Sequence, residues 1–141
     1  MFKSILVPVD LAEMDVVKPA LDKAIALASM TGGSLHLVYV RSILPVTFME
    51  YVPPSFDEEQ QTECEKKMAD VVAGLAFDKS KVTSAVRMGA VYNEVLSEAE
   101  EKSCDLIVVG SHHPSMSTYL LGSNAATIVR HAPCSVLVVR I

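Results

Sequence analysis

Two features of this sequence carry side chains or backbone groups that could bind a ligand. The first is Asp10, which directly follows the apolar run at residues 5–9. A carboxylate in this position can accept hydrogen bonds from a ribose hydroxyl or an adenine amino group. It can equally serve as the N-cap of a helix that begins a few residues later. The residue pattern leaves both interpretations open.

The second feature is the stretch at residues 110–124, where Gly110 ends an apolar run and Gly122 and Ser123 precede a predicted helix. Glycine lets a backbone approach a ligand closely and tolerates a φ above zero. The free N–H groups at a helix start suit an anion such as phosphate. A glycine turn with a serine N-cap explains the same residues without any ligand.

Other kinds of site find little support. His112, His113, His131 and Cys134 carry metal-ligand atoms, but their arrangement does not favour zinc, and no metal site is predicted. The chain has no Gly-x-x-x-x-Gly-Lys-Ser/Thr, no Gly-x-Gly-x-x-Gly and no Gly-x-Ser-x-Gly. These absences exclude a P-loop NTPase, a dinucleotide dehydrogenase and a nucleophile-elbow hydrolase as sequence-supported functions. The three cysteines are expected to be reduced and mostly buried.

The segments that must position these residues alternate between two patterns. Continuous apolar runs predict strands at residues 4–10, 35–40, 82–87, 104–109 and 136–140, and helical spacing predicts helices between them. Residues 41–55 have no period and predict a long surface loop. Ser55 and Glu58 have capping-box spacing and predict a helix start. The order βαβαβαβαβ predicts a parallel sheet with helices on both faces. Ligands of such sheets bind at the carboxyl ends of the strands, where Asp10, Gly89 and residues 110–123 are expected.

Length and composition limit the class of protein. With 141 residues, 50% of them hydrophobic and 21% charged, the chain predicts one folded domain, residues 1–141. Its net charge of -5 and its scattered basic residues disfavour nucleic acid as a partner. The apolar runs fall short of a membrane span, and the first residues lack the pattern of a secretory signal. A cytoplasmic location with no membrane partner is therefore expected.

The chain resembles the universal stress protein family over its whole length. The resemblance is carried by Ile-Leu-Val-Pro-Val-Asp at residues 5–10, Asp-Leu-Ile-Val-Val-Gly-Ser-His at 105–112, Leu-Leu-Gly-Ser at 120–123 and His-Ala-Pro-Cys-Ser-Val-Leu-Val-Val-Arg at 131–140. The segment before and after Gly122 looks most like the nucleotide-binding F/G-type subgroup. This resemblance implies a Rossmann-like α/β fold, a doubly wound five-stranded parallel sheet with strand order 3-2-1-4-5.

The resemblance also implies an ATP site, with Mg²⁺ as a companion of the nucleotide. Carried onto this sequence, the adenosine pocket and the ribose and phosphate contacts fall on Pro8, Val9, Asp10, Val40, Val109, Gly110, His112, Gly122, Ser123 and Asn124. The sequence departs from the family pattern at His113, which stands where a second glycine is expected, and the loop to Gly122 is one residue shorter. His113 is accordingly expected beside a phosphate.

The expected function is that of an ATP-binding regulatory or protective protein of the stress response, with little or slow ATP hydrolysis and no dedicated catalytic residue. No Lys or Arg lies between Gly110 and Leu121 to stabilise a phosphoryl transfer. A slow Mg²⁺-dependent ATPase and a structural dimer without nucleotide are the alternatives. A homodimer is expected through the last strand, from Val136 to Arg140, because this apolar edge has no proline or interior charge to prevent pairing.

Overall fold

The computed structural model describes residues 1–111 and 122–140 and confirms the alternating α/β architecture. Its strands are β1 (Ser4–Pro8), β2 (Ser34–Arg41), β3 (Val82–Met88), β4 (Leu106–Gly110) and β5 (Ser135–Val139). Its helices are α1 (Met14–Thr31), α2 (Val46–Met49), α3 (Phe56–Ala73), α4 (Val91–Glu101) and α5 (Ser123–His131). All strand pairs are parallel and the order is β3-β2-β1-β4-β5, as the resemblance implies.

Strand β1 lies at the centre of the sheet and is buried on both faces. Ile5, Leu6 and Val7 are fully buried, which explains why the strand is a continuous apolar run without polar alternation. β1 pairs with β2 on one side and β4 on the other, so the chain order reverses between β1 and β4. The carboxyl ends of these two strands therefore diverge at the position where doubly wound sheets bind ligands.

Helices cover both faces of the sheet around two apolar clusters. One cluster joins α1 to the sheet and includes Met68 of α3, and the other includes buried residues of α4 and α5. Helix α1 faces the sheet with Val17, Leu21 and three alanines, Ala20, Ala24 and Ala28. Gly32 ends α1 at a φ of 69°, the left-handed conformation that glycine adopts without strain.

A buried ionic network holds α4 against the sheet. Glu98 of α4 pairs with His36 of β2, and both side chains are almost fully buried. Arg87 of β3 contacts three carboxylates, with its nitrogens 2.9 Å from Glu94, 2.7 Å from Glu98 and 2.9 Å from Glu101. Burial alone would raise the pKa of Glu98, but the hydrogen bonds from His36 and Arg87 outweigh it and lower that pKa. Glu98 is therefore held as a carboxylate by its two partners.

Several sequence-based boundaries need correction. β1 ends at Pro8 rather than at Asp10, and β5 covers Ser135–Val139 rather than residues 136–140. The predicted loop at residues 41–55 contains the short helix α2. Ser55 is the N-cap of α3, but the predicted capping box with Glu58 is wrong, because the Ser55 side chain accepts no backbone N–H of the first turn. Its hydroxyl instead donates to the carboxylate of Glu59 at 3.1 Å, a choice of partner that spacing alone could not show.

None of the helices in the described part of the chain combines the length and the apolar character that crossing a bilayer requires. The long helices α1 and α3 each carry charged residues on their outer side.

The first prediction concerns Asp105, which fastens the start of β1 to the start of β4. Its carboxylate accepts the backbone N–H groups of Lys3 at 2.9 Å and Ser4 at 3.1 Å. Partial burial raises the pKa of Asp105, but these hydrogen bonds outweigh burial and lower it overall. We expect Asp105→Asn to reduce the free energy of unfolding at neutral pH by about 1–2 kcal/mol.

The same bonds make this contribution depend on pH. Because the pKa is lower in the folded chain than in the unfolded one, the stabilisation is present above the unfolded pKa of about 3.9 and is lost as pH falls through the folded value. Urea denaturation at pH 7 and at pH 3 should show the gap between wild type and Asp105→Asn closing at the lower pH. A gap of constant size would contradict the role of the carboxylate charge.

Candidate functional site

A cleft of about 570 Å³ opens at the carboxyl ends of β1, β2 and β4, where the chain order reverses. This volume falls within the range of small-molecule sites. Nine of the eleven residues that the family resemblance implies for a ligand site line it. They are Pro8, Val9, Asp10, Val40, Val109, Gly110, Gly122, Ser123 and Asn124. His112 and His113 lie outside the described residues.

The inner wall of the cleft is apolar. Val9 follows β1, Val40 and Val109 lie one residue before the ends of β2 and β4, and all three are almost completely buried. Val95 of α4 and Ile128 of α5 complete this wall from the helical layer. An apolar wall of valine and isoleucine side chains suits the faces of a planar ring such as a purine base, since such a contact needs no polar partner.

Asp10 stands at the polar rim of the cleft and is not a helix N-cap. Helix α1 begins after Glu13, which occupies the N-cap position. One carboxylate oxygen of Asp10 accepts the backbone N–H of Ala12 at 3.0 Å, and the Asp10 carbonyl accepts the N–H of Glu13 at 3.0 Å. This turn fixes the side chain at the cleft while leaving it exposed. The N-cap interpretation of Asp10 is therefore wrong.

The start of α5 forms another part of the cleft lining. Gly122 is its N-cap, and Ser123 and Asn124 form its first turn. Backbone N–H groups of a first helical turn have no acceptor within their own helix and carry partial positive charge. Gly122 has φ -61° and ψ 155°, an extended conformation open to any residue. The backbone conformation at this position therefore does not require a glycine.

Gly110 lines the cleft and is also needed for packing. A Cβ atom built on Gly110 would lie 2.7 Å from the backbone carbonyl oxygen of Val16 in α1. No real side chain tolerates such a distance from a backbone atom, so the residue lets the first turn of α1 lie over the end of β4. The third sequence candidate, Gly89, does not line the cleft; it has φ 149° and forms the turn from β3 to α4.

The sequence missed several residues that the fold brings to the cleft. Tyr39 and Ser42 come from the end of β2, Glu13 and Val16 from the start of α1, Val91 from α4, and Ser111 from the end of β4. Partial burial raises the pKa of the Tyr39 hydroxyl, and the neighbouring Cys64 and Asp10 act in the same direction. Tyr39 therefore stays neutral at physiological pH. Ser42 and Ser111 each directly follow a strand, and this position in the sequence could have identified them as residues of the cleft.

The charged side chains among the described lining residues are both acidic, Asp10 and Glu13. The sequence adds no Lys or Arg between Gly110 and Leu121. Positive potential for an anion therefore has to come from the backbone at the start of α5 or from a bound cation.

No group of three His, Cys, Asp or Glu side chains capable of holding a metal is found in residues 1–111 and 122–140. All three cysteines fall in these ranges and are free; Cys104 is buried, whereas Cys64 and Cys134 are half-buried. Burial raises the pKa of the Cys104 and Cys134 thiols, which keeps both protonated and weakly nucleophilic at neutral pH.

The five-stranded sheet and the cleft at its reversal point define a doubly wound α/β ligand-binding domain. Residues 1–140 match the universal stress protein family. The chain is 39% identical over 143 residues to universal stress protein G of Shigella flexneri, covering 99% of this chain and all of that protein. It is 31% identical over 150 residues to universal stress protein YxiE of Bacillus subtilis, covering 99% of this chain and all of that protein.

Solved structures have the same fold. The hypothetical protein MJ0577 superposes with a TM-score of 0.80 at 25% identity, over 100% of this chain and 97% of that one. UspA from Lactobacillus plantarum superposes with a TM-score of 0.78 at 23% identity, and the match covers 99% of this chain and 98% of that one. A universal stress protein solved in complex with cAMP superposes with a TM-score of 0.64 at 21% sequence identity, and the match covers 97% of this chain and 96% of that one. The chain belongs to the universal stress protein family, and this membership supports a role in the stress response.

The second prediction tests the contact between Gly110 and α1. Gly110→Ala should lower the free energy of unfolding by about 1–3 kcal/mol, because the added methyl group must displace the backbone of Val16. Gly74→Ala is the matched control: its nearest neighbour would be 3.6 Å away and its backbone is right-handed, so we expect a change below about 0.5 kcal/mol. Urea denaturation of both variants measures the difference, and equal stabilities would contradict the packing role of Gly110.

Proposed function

We propose that this protein binds ATP in the cleft and acts as a regulatory or protective component of the stress response in the cytoplasm, with little or slow hydrolysis. One observation carries the proposal: a single cleft combines an apolar wall, the Asp10 carboxylate and the start of α5. These are the three kinds of group that a base, a ribose and a phosphate chain require.

In the proposed complex the adenine lies against Val9, Val40 and Val109. The exposed carboxylate of Asp10 accepts hydrogen bonds from the ribose hydroxyls, and its other contact, to the N–H of Ala12, keeps it in place. Gly122, Ser123 and Asn124 present backbone N–H groups and the Ser123 hydroxyl to the phosphates. His112 and His113 belong to the proposed phosphate end by resemblance alone.

The charge of the cleft supports a role for Mg²⁺. Asp10 and Glu13 at the rim would repel a free triphosphate, and no lysine or arginine in the described lining compensates for them. Their carboxylate oxygens, together with the Ser123 hydroxyl, are ligands of the type that Mg²⁺ prefers. Bound Mg²⁺ would neutralise part of the phosphate charge. This chain contributes carboxylates and hydroxyl groups to that arrangement.

The same charge distribution argues against fast catalysis. Phosphoryl transfer needs positive groups that stabilise the charge of the transition state and a group that orients the attacking nucleophile. The described lining supplies no cationic side chain, and the backbone N–H groups of α5 stabilise the bound ground state equally well. Binding without dedicated catalysis is therefore favoured over the slow Mg²⁺-dependent ATPase.

A cyclic nucleotide is a second candidate ligand. With acidic side chains as the charged groups of the described lining, a cyclic phosphodiester with one negative charge meets less repulsion than a triphosphate. A structural neighbour of this chain was solved in complex with cAMP. Mass spectrometry of small molecules released on denaturation separates the candidates. ATP supports the proposal, ADP or AMP indicates turnover, and cAMP supports the second candidate; no nucleotide, with no thermal shift on adding ATP, supports the structural dimer.

The third prediction addresses the nucleoside contact. Asp10→Ala should weaken ATP binding by about 1–3 kcal/mol, roughly 5- to 150-fold, because it removes a carboxylate from the ribose hydroxyls. Isothermal titration calorimetry in the presence of Mg²⁺ measures the change. Asp22→Ala, an exposed position on the outer side of α1, is the control and should bind like the wild type. Equal affinity of wild type and Asp10→Ala would remove Asp10 from the proposed site.

We also propose a homodimer through β5, the edge strand next to β4. Two copies related by two-fold symmetry could pair their β5 strands antiparallel and satisfy the free backbone groups of both edges. Val136 and Val138 pack against the α4–α5 side of the sheet, whereas Leu137 on the opposite face is 37% exposed. Leu137 is therefore the side chain at this edge that can be changed without disturbing the core.

The fourth prediction follows from this difference. Leu137→Lys should shift the sedimentation of the protein from dimer to monomer, with the dissociation constant raised at least about tenfold by the charge placed at the edge. Met30→Lys, an equally drastic change at an 83% exposed position of α1, should leave the dimer intact. A wild-type chain that sediments as a monomer at micromolar concentration would contradict the proposed interface without any variant.

A further inference from the structure

The connection between β2 and α3 exposes a concentration of large apolar side chains. Among the described residues, eleven large apolar side chains are exposed, and five of them lie within nine consecutive positions of this connection. We call these five the loop patch: Ile43, Val46, Phe48, Met49 and Tyr51. Val46 is 87% exposed and Tyr51 is 80% exposed. Single exposed apolar residues are ordinary, but five of them so close together in sequence make this connection a candidate interaction surface.

The loop patch is held in a defined position. Within it, the N–H of Phe48 donates to the carbonyl of Pro45 at 2.9 Å, and the N–H of Tyr51 donates to the carbonyl of Phe48 at 3.1 Å. Arg41, just before the patch, bonds to Asp57 at 2.7 Å and to Gln61 at 2.8 Å. The guanidinium thus ties the end of β2 to the start of α3, so both ends of the connection are fixed.

An acidic surface borders the loop patch. Residues 42–63 contain five acidic residues and no basic residue. Asp57 is paired with Arg41, and Glu63 lies 3.5 Å from Lys67. Glu58, Glu59 and Glu63 line a shallow depression on the outer side of α3 together with one basic residue, Lys66. The surface next to the apolar side chains therefore carries net negative charge.

We propose that the loop patch and the acidic first half of α3 form a docking surface for a cationic amphipathic helix of a partner protein. Its apolar side would cover the loop patch, and its Lys or Arg side chains would reach Glu58 and Glu59. Such a partner gains from apolar burial and from opposite charge at the rim.

The charges disfavour the other occupants of an apolar surface. A second copy bound symmetrically through the loop patch would bring its own acidic border against this one. A membrane with anionic lipids would be repelled for the same reason. The residues of the loop patch do not line the nucleotide cleft. The docking surface is thus separate from the proposed ATP site and does not depend on it.

This chain contains no tryptophan, so the fluorescence of a tryptophan in a peptide probe reports the binding of that peptide alone. The probe is a synthetic helical peptide of about 18 residues, or about five turns, with leucines on one side, lysines on the other and one tryptophan. Titrating the protein into the peptide should give saturable binding from the tryptophan signal, weakened by added salt. A peptide with glutamate in place of lysine should not bind.

Two variants locate the binding. Val46→Ser combined with Phe48→Ser should weaken peptide binding at least about tenfold, while Met30→Ser, at another fully exposed apolar site, should not. Glu58→Lys combined with Glu59→Lys tests the charged border without altering the loop patch, and Glu100→Lys on α4 is its control. Circular dichroism confirms that each variant is folded.

The outcomes separate the alternatives. Peptide affinity that is unchanged in both double variants, or reduced equally by the controls, would overturn the proposal. So would binding of wild type to vesicles with anionic lipid without binding to the peptide. Self-association that the Val46→Ser and Phe48→Ser variant abolishes would instead assign the loop patch to a second copy of this chain.

Discussion

The first turn of α1 lies over the carboxyl end of β4 so closely that the Val16 carbonyl occupies the space of a side chain at position 110. The position of the cleft depends on this approach. It brings Glu13 and Val16 beside Gly110 and Ser111, and it places the turn that carries Asp10 opposite the start of α5. A side chain at position 110 would push α1 away from β4 and separate the two halves of the cleft.

Within the described residues, the cleft takes its negative charge from side chains and its positive potential from the backbone. The Asp10 carboxylate is held by the N–H of Ala12, and the N–H groups at the start of α5 are fixed by the helix. The acidic rim and the polar backbone groups of opposite potential are therefore both set by the fold before any ligand enters. They offer no group that becomes more favourable as a reaction proceeds.

The strands could be predicted from sequence because a strand buried on both faces is a continuous apolar run, as residues 5–9 show. The resemblance correctly implied the strand order, which no local pattern encodes. The role of Gly110 could not be predicted, because the Val16 carbonyl that excludes a side chain is distant in sequence and belongs to the backbone. Tyr39 and Val95 were missed as cleft residues because their ordinary positions in a strand and a helix carry no signal until the sheet order is known.

The network of His36, Arg87 and Glu98 determines the position of α4 along its own helix axis. Apolar helix surfaces can slide past one another with a modest loss of packing energy. A displacement of α4 by one turn, about 5.4 Å, would however leave the buried Glu98 carboxylate without either of its partners. Helix α4 therefore has a single longitudinal setting. Because Val91 and Val95 of that helix line the cleft, the contacts of Glu98 with His36 and Arg87 also set where these two valines lie in the apolar wall.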